Sequence, residues 1–283
     1  MSTPLLSIVL VNYNGEDFIE ECLDSVFASK CDFEFQTILL DNASTDSSLD
    51  KIRAYGDQLE LIESQENLGF SRGNNACFPH CQGKYTLLLN TDTVLDPKSL
   101  AVMIDFMEKN PKVGALSPKL LNTDGSVQVQ GSALGAWRYY AKKARPIDFI
   151  CGACLLTKKS ILDEIGGLNA DLFFYNDDIF FCKQLADLNY PIYYLPDTKV
   201  IHHGGLSSKK DKAKLTVSAY KGSLAYCQAF YPFLIYFLYK LVMLIDVSIK
   251  WGYHCVFNWK DRHKRQEFLN AYFTLFKHIL LSA

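Results

Sequence analysis

Neither an internal repeat nor a low-complexity tract is present in the 283 residues, which excludes solenoids, propellers and compositionally disordered chains. No secretory leader is expected either. Residues 5–11 are apolar, but no basic residue precedes them and the run is too short. They read better as a first buried strand. No glycine-rich, basic loop follows that strand, since the next residues are Asn12-Tyr13-Asn14-Gly15-Glu16-Asp17. The phosphate cradle of a nucleotide-condensing enzyme is therefore not expected there. Nor is a disulfide framework. The nine cysteines are odd in number and irregularly spaced, so reduced thiols in a cytosolic compartment are expected. Cys151 and Cys154 form a single Cys-x-x-Cys without the second half that zinc would need, and a packed strand is the expected setting.

What the chain has is apolar residues, 49% of the total, enough for one large domain or one domain with an appendage. The net charge of −2 hides a split. Residues 206–283 hold twelve Lys/Arg and four Asp/Glu, a balance of +8, which leaves −10 for residues 1–205. An acidic front and a basic, aromatic-rich tail are expected to meet different partners, and the division is placed at 1–215 and 216–283. Residues 229–249 of the tail are almost wholly apolar, interrupted by Pro232, Lys240 and Asp246. They are long enough to approach a bilayer's width, yet Lys240 would cost roughly 2.5–3.5 kcal/mol near its centre. A basic cluster at 260–265 and an amphipathic stretch at 267–283 follow, with Phe268, Tyr272, Leu275, Phe276 and Ile279 on one stripe. An in-plane helical hairpin on an anionic membrane surface is the leading expectation. A spanning helix, and helices folded onto the main domain or a second subunit, are the alternatives. The apolar content fits a membrane surface better than nucleic acid.

The first half alternates apolar runs with helical spacing. Strands are expected at 6–11, 35–40, 59–62 and 85–89. Helices are expected at 16–28, through Leu49, Ile52 and Tyr55, and at 97–109. Residues 67–75 read as a loop leading into a short helix. This density implies an open α/β sheet whose ligands sit beyond the carboxyl ends of its strands. Asn12, Asp41 and Asn90–Asp92 all fall at such ends. In the middle, Asn122-Thr123-Asp124-Gly125 marks a hairpin turn. Residues 131–145 read as a mobile loop carrying Trp137, Tyr139 and Tyr140, either a sugar-stacking platform or ordinary aromatics. Residues 147–157 read as a strand and 177–188 as a helix.

Three segments carry candidate chemistry. Asp92, just past an apolar run, could hold Mg²⁺ or Mn²⁺ against a diphosphate, or could cap the next helix. Asp177 and Asp178 could be helix caps, or one of them could take a proton from an attacking hydroxyl. His202 and His203 point to opposite sides if extended, so only one can face the crevice, as a ligand or as a structural group. Asp41 could bond the imide N–H of a uracil or thymine, or cap the 42–46 turn. Arg72 could fork onto a diphosphate, or be a solvated loop charge.

Seven segments occur in an order that resembles family 2 glycosyltransferases, closest to their bacterial rhamnosyltransferase-like branch. They run from Ser7 to Gly15, Asp41 to Ser47, Glu66 to Asn75 and Leu89 to Thr93. Then come Gly152-Ala153-Cys154, Phe174 to Asp178 and His202 to Ser207. The likeness covers residues 6–207. It implies the GT-A fold, a Rossmann-like mixed sheet flanked by helices. It implies an inverting transfer from a nucleotide diphosphate sugar, dTDP-rhamnose or a UDP-sugar, to a hydroxyl of a glycan or lipid-linked saccharide at the inner face of the cell membrane. By this resemblance Val11, Asn12, Tyr13 and Asp41 serve the nucleobase, and Gly69, Arg72 and Asn75 line the diphosphate side. Asn90-Thr91-Asp92 stands where the family has Asp-x-Asp, with Asn90 and Thr91 facing the ribose or cation. Asp92 and His202 would be cation ligands and Asp178 the general base. Three departures are visible: Asn90 for the first acid, Asp177 where Glu is usual, and Phe180 where a further Asp is frequent. A catalytically silent scaffold that binds nucleotide sugar or membrane is the alternative.

Overall fold

The computed structural model describes residues 3–131, 133–173, 175–204, 212–256 and 262–282. Phe174, Gly205, Leu206, Ser207, Lys260 and Asp261, named above within motifs or the basic cluster, lie outside these residues. The chain divides into two units, residues 1–171 with 177–207, and residues 172–176 with 208–283.

The first unit begins with strand β1 (Leu6–Asn12), helix α1 (Ile19–Phe27), β2 (Phe35–Asp41), α2 (Ser48–Arg53) and β3 (Glu60–Glu63). It continues through α3 (Gly69–Cys77), β4 (Tyr85–Asn90), β5 (Thr93–Leu95), α4 (Ser99–Lys109) and β6 (Ala115–Leu121). A 3-10 segment (Ala133–Tyr140), β7 (Arg145–Ile147), β8 (Cys154–Lys158), α5 (Lys159–Ile165), α6 (Asp177–Asp187) and β9 (Ile192–His202) complete it. One sheet runs β3-β2-β1-β4-β8-β6-β9-β5, with β7 added on β9. The β3-β2-β1-β4 half is parallel, whereas β8 is antiparallel to both β4 and β6, so the sheet is mixed rather than wholly parallel.

Strand alternation explains why the parallel half reads as unbroken apolar runs. Ile8, Leu10, Leu87 and Leu89 face one core with Ile19, Leu23 and Met103 of the helices. Val9, Leu88 and Leu155 face the other with Leu162, Phe181 and Leu185. Both faces are covered, so the strand interiors are mainly apolar, with only small hydroxyl side chains such as Ser7, Thr37 and Thr86 buried among them. Helix α1 contributes Ile19, Cys22, Leu23 and Val26, the spacing of a single buried stripe.

Three expectations need correction. The 67–75 segment is already helical from Gly69, because Gly69 takes φ +78° and the Asn67 side chain accepts the Gly69 N–H at 2.9 Å. The 131–145 loop is largely the 3-10 segment. Tyr139 is buried, donating its hydroxyl to the Phe149 carbonyl at 2.8 Å, while Trp137 and Tyr140 are exposed. The expected strand at 147–157 is two strands with an irregular segment between, since β8 starts only at Cys154. The turn at 122–125 is as expected, with the Asn122 N–H bonded to the Ser126 carbonyl at 2.9 Å.

The second unit consists of α7 (Lys212–Phe230), α8 (Phe233–Val256) and α9 (Arg262–Leu281) with the short 172–176 segment. Leu224, Cys227, Tyr236, Met243, Val247, Tyr272, Leu275 and Ile279 form its core. Asn176 donates to the Ala219 carbonyl at 3.1 Å. Among the described residues no helix is long and apolar enough to cross a membrane, which overturns the spanning alternative. The apolar run is cut at Pro232, and Lys240, Asp246 and Lys250 interrupt α8. Of the apolar stripe expected on α9, Tyr272, Leu275 and Ile279 are buried and Phe276 is exposed.

Leu87 is fully buried on β4, between β1 and β8. Leu87→Ala is expected to lower unfolding free energy by about 2–5 kcal/mol, read from the urea midpoint of the full chain; an unchanged midpoint would contradict this packing.

Candidate active site

Three strand ends lie side by side. Asn12 pairs with Asp41 and Val11 with Asn90 in register. Asn12 is fully buried, and its Nδ2 donates to Asp41 Oδ1 at 2.9 Å, Ser44 Oγ at 3.1 Å and Ser48 Oγ at 2.9 Å. Asp41 also accepts from the Ser44 hydroxyl at 2.6 Å and the Ser44 N–H at 3.0 Å. The turn-capping reading of Asp41 is thus realised, with Asn12 holding the carboxylate from below. Tyr13 is exposed beside them. Val11 is half-buried, and a Cβ at Gly73 would come within 2.9 Å of its Cγ1, so α3 needs glycine to approach β1.

Gly69 opens α3, and Arg72 on the same helix is about half exposed, with a loose 3.5 Å contact to Glu66. Asn75 spends both ends of its amide on Leu168. Nδ2 donates to the carbonyl at 2.7 Å and Oδ1 accepts the N–H at 2.8 Å. It clasps α3 to the turn after α5.

The cation candidates do meet. β5 runs antiparallel to β9 with Thr93 opposite His202, and the His203 N–H donates to the Asp92 carbonyl at 2.9 Å. His202 Nε2 lies 3.3 Å from Asp92 Oδ1, with both side chains largely buried. His203 turns the other way, toward Phe18 and Glu21 of the α1 region. Thr91 and Asn90 are half-buried in the same turn. Among the described residues no three His, Cys, Asp or Glu side chains converge. The donor set is one carboxylate oxygen and one imidazole nitrogen. That set fits Mn²⁺ or Mg²⁺ only as a partial shell, with positions left for phosphate oxygens.

Asp178 is the second residue of α6, and its Oδ1 accepts the Ile179 N–H at 2.9 Å. Phe70, Leu88, Leu155, Leu168 and Phe181 surround the two adjacent carboxyls, together with Gly152. A Cβ on Gly152 would approach Phe70 to 3.0 Å, so glycine permits this closeness. Burial in that apolar niche pushes both carboxyls above the usual range, and at Asp177 the Asp178 charge adds to the rise. The Ile179 and Gly152 N–H groups oppose the rise at Asp178. The two carboxyls thus titrate as a pair whose proton affinity lies above the ordinary carboxylate range. Phe180, where the resemblance leads to the expectation of a further acid, is buried.

Residues 151–153 connect the two ends. The Ala153 carbonyl accepts the Asn90 N–H at 2.9 Å, two residues before Asp92. Gly152 favours the charged form of Asp178. Burial raises the Cys151 thiol, and the Asp178 and Asp92 charges both add to that rise.

Two residues escaped the sequence reading. Buried Gln130 accepts the Cys151 N–H on Oε1 at 2.9 Å and donates to Ser117 Oγ at 3.2 Å. Gln128 meets His202 Nδ1 through Oε1 at 2.7 Å. The only local hint was glutamine at alternate positions after a hairpin turn, which places both on one side of an extended segment.

Residues 7–166 match the family model described as glycosyl transferase family 2. The chain is 23% identical over 256 residues to the N-acetylglucosaminyl-diphospho-decaprenol L-rhamnosyltransferase of Mycobacterium tuberculosis, covering 78% of this chain and 83% of that one. In structure it is similar to TarS 1-349 of S. aureus, with TM-score 0.59 and 16% identity over 98% of this chain and 72% of that one. It is also similar to the mannosyltransferase PcManGT of Pyrobaculum calidifontis, in complex with GDP-Man and Mn²⁺, with TM-score 0.61 and 16% identity over 99% and 88%. The structural likenesses show the fold, which is GT-A.

The raised pair also sets a stability signature. A carboxyl whose folded value lies above its unfolded one loses stabilisation as pH rises from the ordinary carboxylate range through the raised value. Asp177→Asn is therefore expected to melt higher than the parent at about pH 8, with the gap closing toward acid; a gap independent of pH in thermal melts would refute the burial argument.

Proposed function

Because the chain belongs to the family 2 glycosyltransferases, we propose that it moves a sugar from a dTDP- or UDP-linked donor to a hydroxyl of a glycan or lipid-linked saccharide, in cell-surface polysaccharide synthesis. dTDP-rhamnose is the leading donor, by likeness to the rhamnosyltransferase above. The observation that carries the reading is the 3.3 Å approach of His202 to Asp92, with residues 151–153 linking that turn to the half-buried carboxylate of Asp178.

In this reading Asp178 removes the proton from the acceptor hydroxyl as it attacks the anomeric carbon. Its raised affinity for protons suits that task near neutral pH. Attack comes from the face opposite the nucleotide, so the anomeric configuration inverts. Asp92 and His202 would hold Mg²⁺ or Mn²⁺, which supplies charge neutralisation for the departing diphosphate. Arg72, about half exposed on α3, adds a guanidinium on the diphosphate side. Val11, Asn12 and Asp41 set the floor of the base site, with Tyr13 at its rim. Asn90 and Thr91 border the ribose. Gly69 and Asn75 shape the helix facing the diphosphate.

A sugar-release assay across UDP-, dTDP- and GDP-sugars tests the proposal. Release is expected with a UDP- or dTDP-sugar. Asp178→Asn should keep nucleotide binding and lose turnover by ~10²-fold or more. Near-normal turnover in that variant removes the base assignment, and nucleotide binding without release from any donor favours a silent scaffold.

The tail carries the localisation part of the proposal, peripheral attachment at the cytoplasmic face of the membrane. Phe233, Leu234, Leu238, Val242, Ile245 and Ile249 are all exposed along α8. Residues 206–283 carry the +8 balance that anionic lipid would attract. The full chain should float with anionic vesicles at low salt. A Phe233→Ser, Leu234→Ser, Leu238→Ser variant should stay behind. Parent protein that remains in the soluble fraction would defeat the attachment.

A further inference from the structure

We propose that the hairpin at residues 122–128 is a positioning device that fixes the tautomer of His202 and aims its Nε2 lone pair at the cation site beside Asp92. The inference rests on the reading of Asp92 and His202 as cation ligands.

The direction of each hydrogen bond follows from the one before it. An ionised Asp124 can only accept, so Ser126 Oγ, 2.6 Å from its Oδ1, donates. The Ser126 oxygen is then the acceptor for Asn122 Nδ2 at 2.9 Å. That orients the Asn122 amide with Oδ1 toward Gln128, whose Nε2 donates to it at 3.0 Å. Gln128 Nε2 also reaches the His202 carbonyl at 3.4 Å. Both acceptors are oxygens, so the Gln128 amide cannot be flipped. Its Oε1 must face His202 Nδ1, 2.7 Å away, and must accept. The proton of the neutral ring therefore sits on Nδ1.

The consequence falls on the other nitrogen. Nε2 of the neutral ring presents a lone pair toward Asp92 Oδ1 at 3.3 Å. A lone pair facing a carboxylate is repulsive in isolation and becomes favourable when a cation sits between them. In free solution neutral imidazole favours the Nε2–H form, which would instead bond Asp92 directly and close the site. Four side chains on one turn exclude that form. Gly204 completes the fit: a Cβ there would lie 3.2 Å from Gln128 Nε2, and its φ of +69° is a left-handed value that suits glycine. Gln128 and Asn122 are positioning residues that act through His202 and touch no reacting atom.

Long-range proton–nitrogen NMR of the metal-free full chain, at about pH 8 where an ordinary imidazole is neutral, reads the tautomer without any cation. His202 is expected as the Nδ1–H form in the parent and in Gln128→Glu, which keeps an acceptor. It is expected to shift toward Nε2–H in Gln128→Leu. Mn²⁺ retention in the presence of UDP, measured by electron paramagnetic resonance, should fall ~10-fold in Gln128→Leu and be largely restored in Gln128→Glu. An Nε2–H tautomer in the parent overturns the inference, as does unchanged Mn²⁺ retention in Gln128→Leu. A parent chain that retains no Mn²⁺ even with nucleotide overturns the cation reading itself, and the tautomer measurement separates that failure from the first.

Discussion

The site depends on a sheet that cannot be flat. Strand β5 begins three residues after β4 ends, so the connection spans at most about 11 Å. In the strand order β4-β8-β6-β9-β5 the two are four positions apart, which in a flat sheet would be on the order of 19 Å. The sheet must curl until its last strand returns beside its centre. β9 provides the bend: Pro118 of β6 pairs with Leu195, but Lys119 pairs with Lys199, which leaves three extra residues on β9 at that point. Such an irregularity increases local twist and re-aims the strand beyond it. The re-aimed half ends at His202, and the two-residue crossing from β4 to β5 contains Asp92. Closure of the sheet thus delivers imidazole and carboxylate to the same place.

The same closure separates two electrostatic environments within a short span. On one side Asp92 and His202 stand beside Asn90, Thr91 and Gln128. On the other, Asp177 and Asp178 sit against Phe70, Leu88, Leu155, Leu168 and Phe181, where charge is penalised. Residues 151–153 are the seam between them, tied to the central strand through Ala153 and to Gln130 through the Cys151 N–H. The dry niche raises the proton affinity of the acidic pair. A site that must remove a proton at one point and neutralise a departing anion at another needs these two settings close together.

Much of this was legible locally. The parallel strands showed as apolar runs because both sheet faces are covered, and the polar residues at their ends marked the crevice. What was illegible depended on distant partners. Gln130 looks like an ordinary surface amide and Asn75 stood out only by resemblance, for the diphosphate side, yet Asn75 bonds Leu168 and Gln130 bonds Cys151. The 147–157 run looked like one strand because its residues are apolar, but the backbone of residues 148–153 is drawn out of the ladder toward α6 and the end of β4. Ile150 and Cys182 exchange weak bonds there, with the Ile150 N–H 3.4 Å from the sulfur. A short helix was expected after residues 67–75, but its early start at Gly69 was hidden because that start is set by a left-handed glycine and an Asn67 side chain rather than by an apolar stripe.

Asn90 in place of a first acid gains meaning from this arrangement. Its backbone is fully used, with the N–H on Ala153 and the carbonyl accepting from Thr93 Oγ1 at 2.7 Å, so its position is fixed whatever side chain it bears. A second carboxylate there would add negative charge next to Asp92 and within reach of the seam to Asp178. On the proposed reading, one carboxylate and one neutral imidazole leave a dication with net positive charge until an anionic diphosphate arrives. Cation and donor would then stabilise each other at the site, and the carboxylate that remains, Asp92, is held by its own main chain to the strand that supplies its partner.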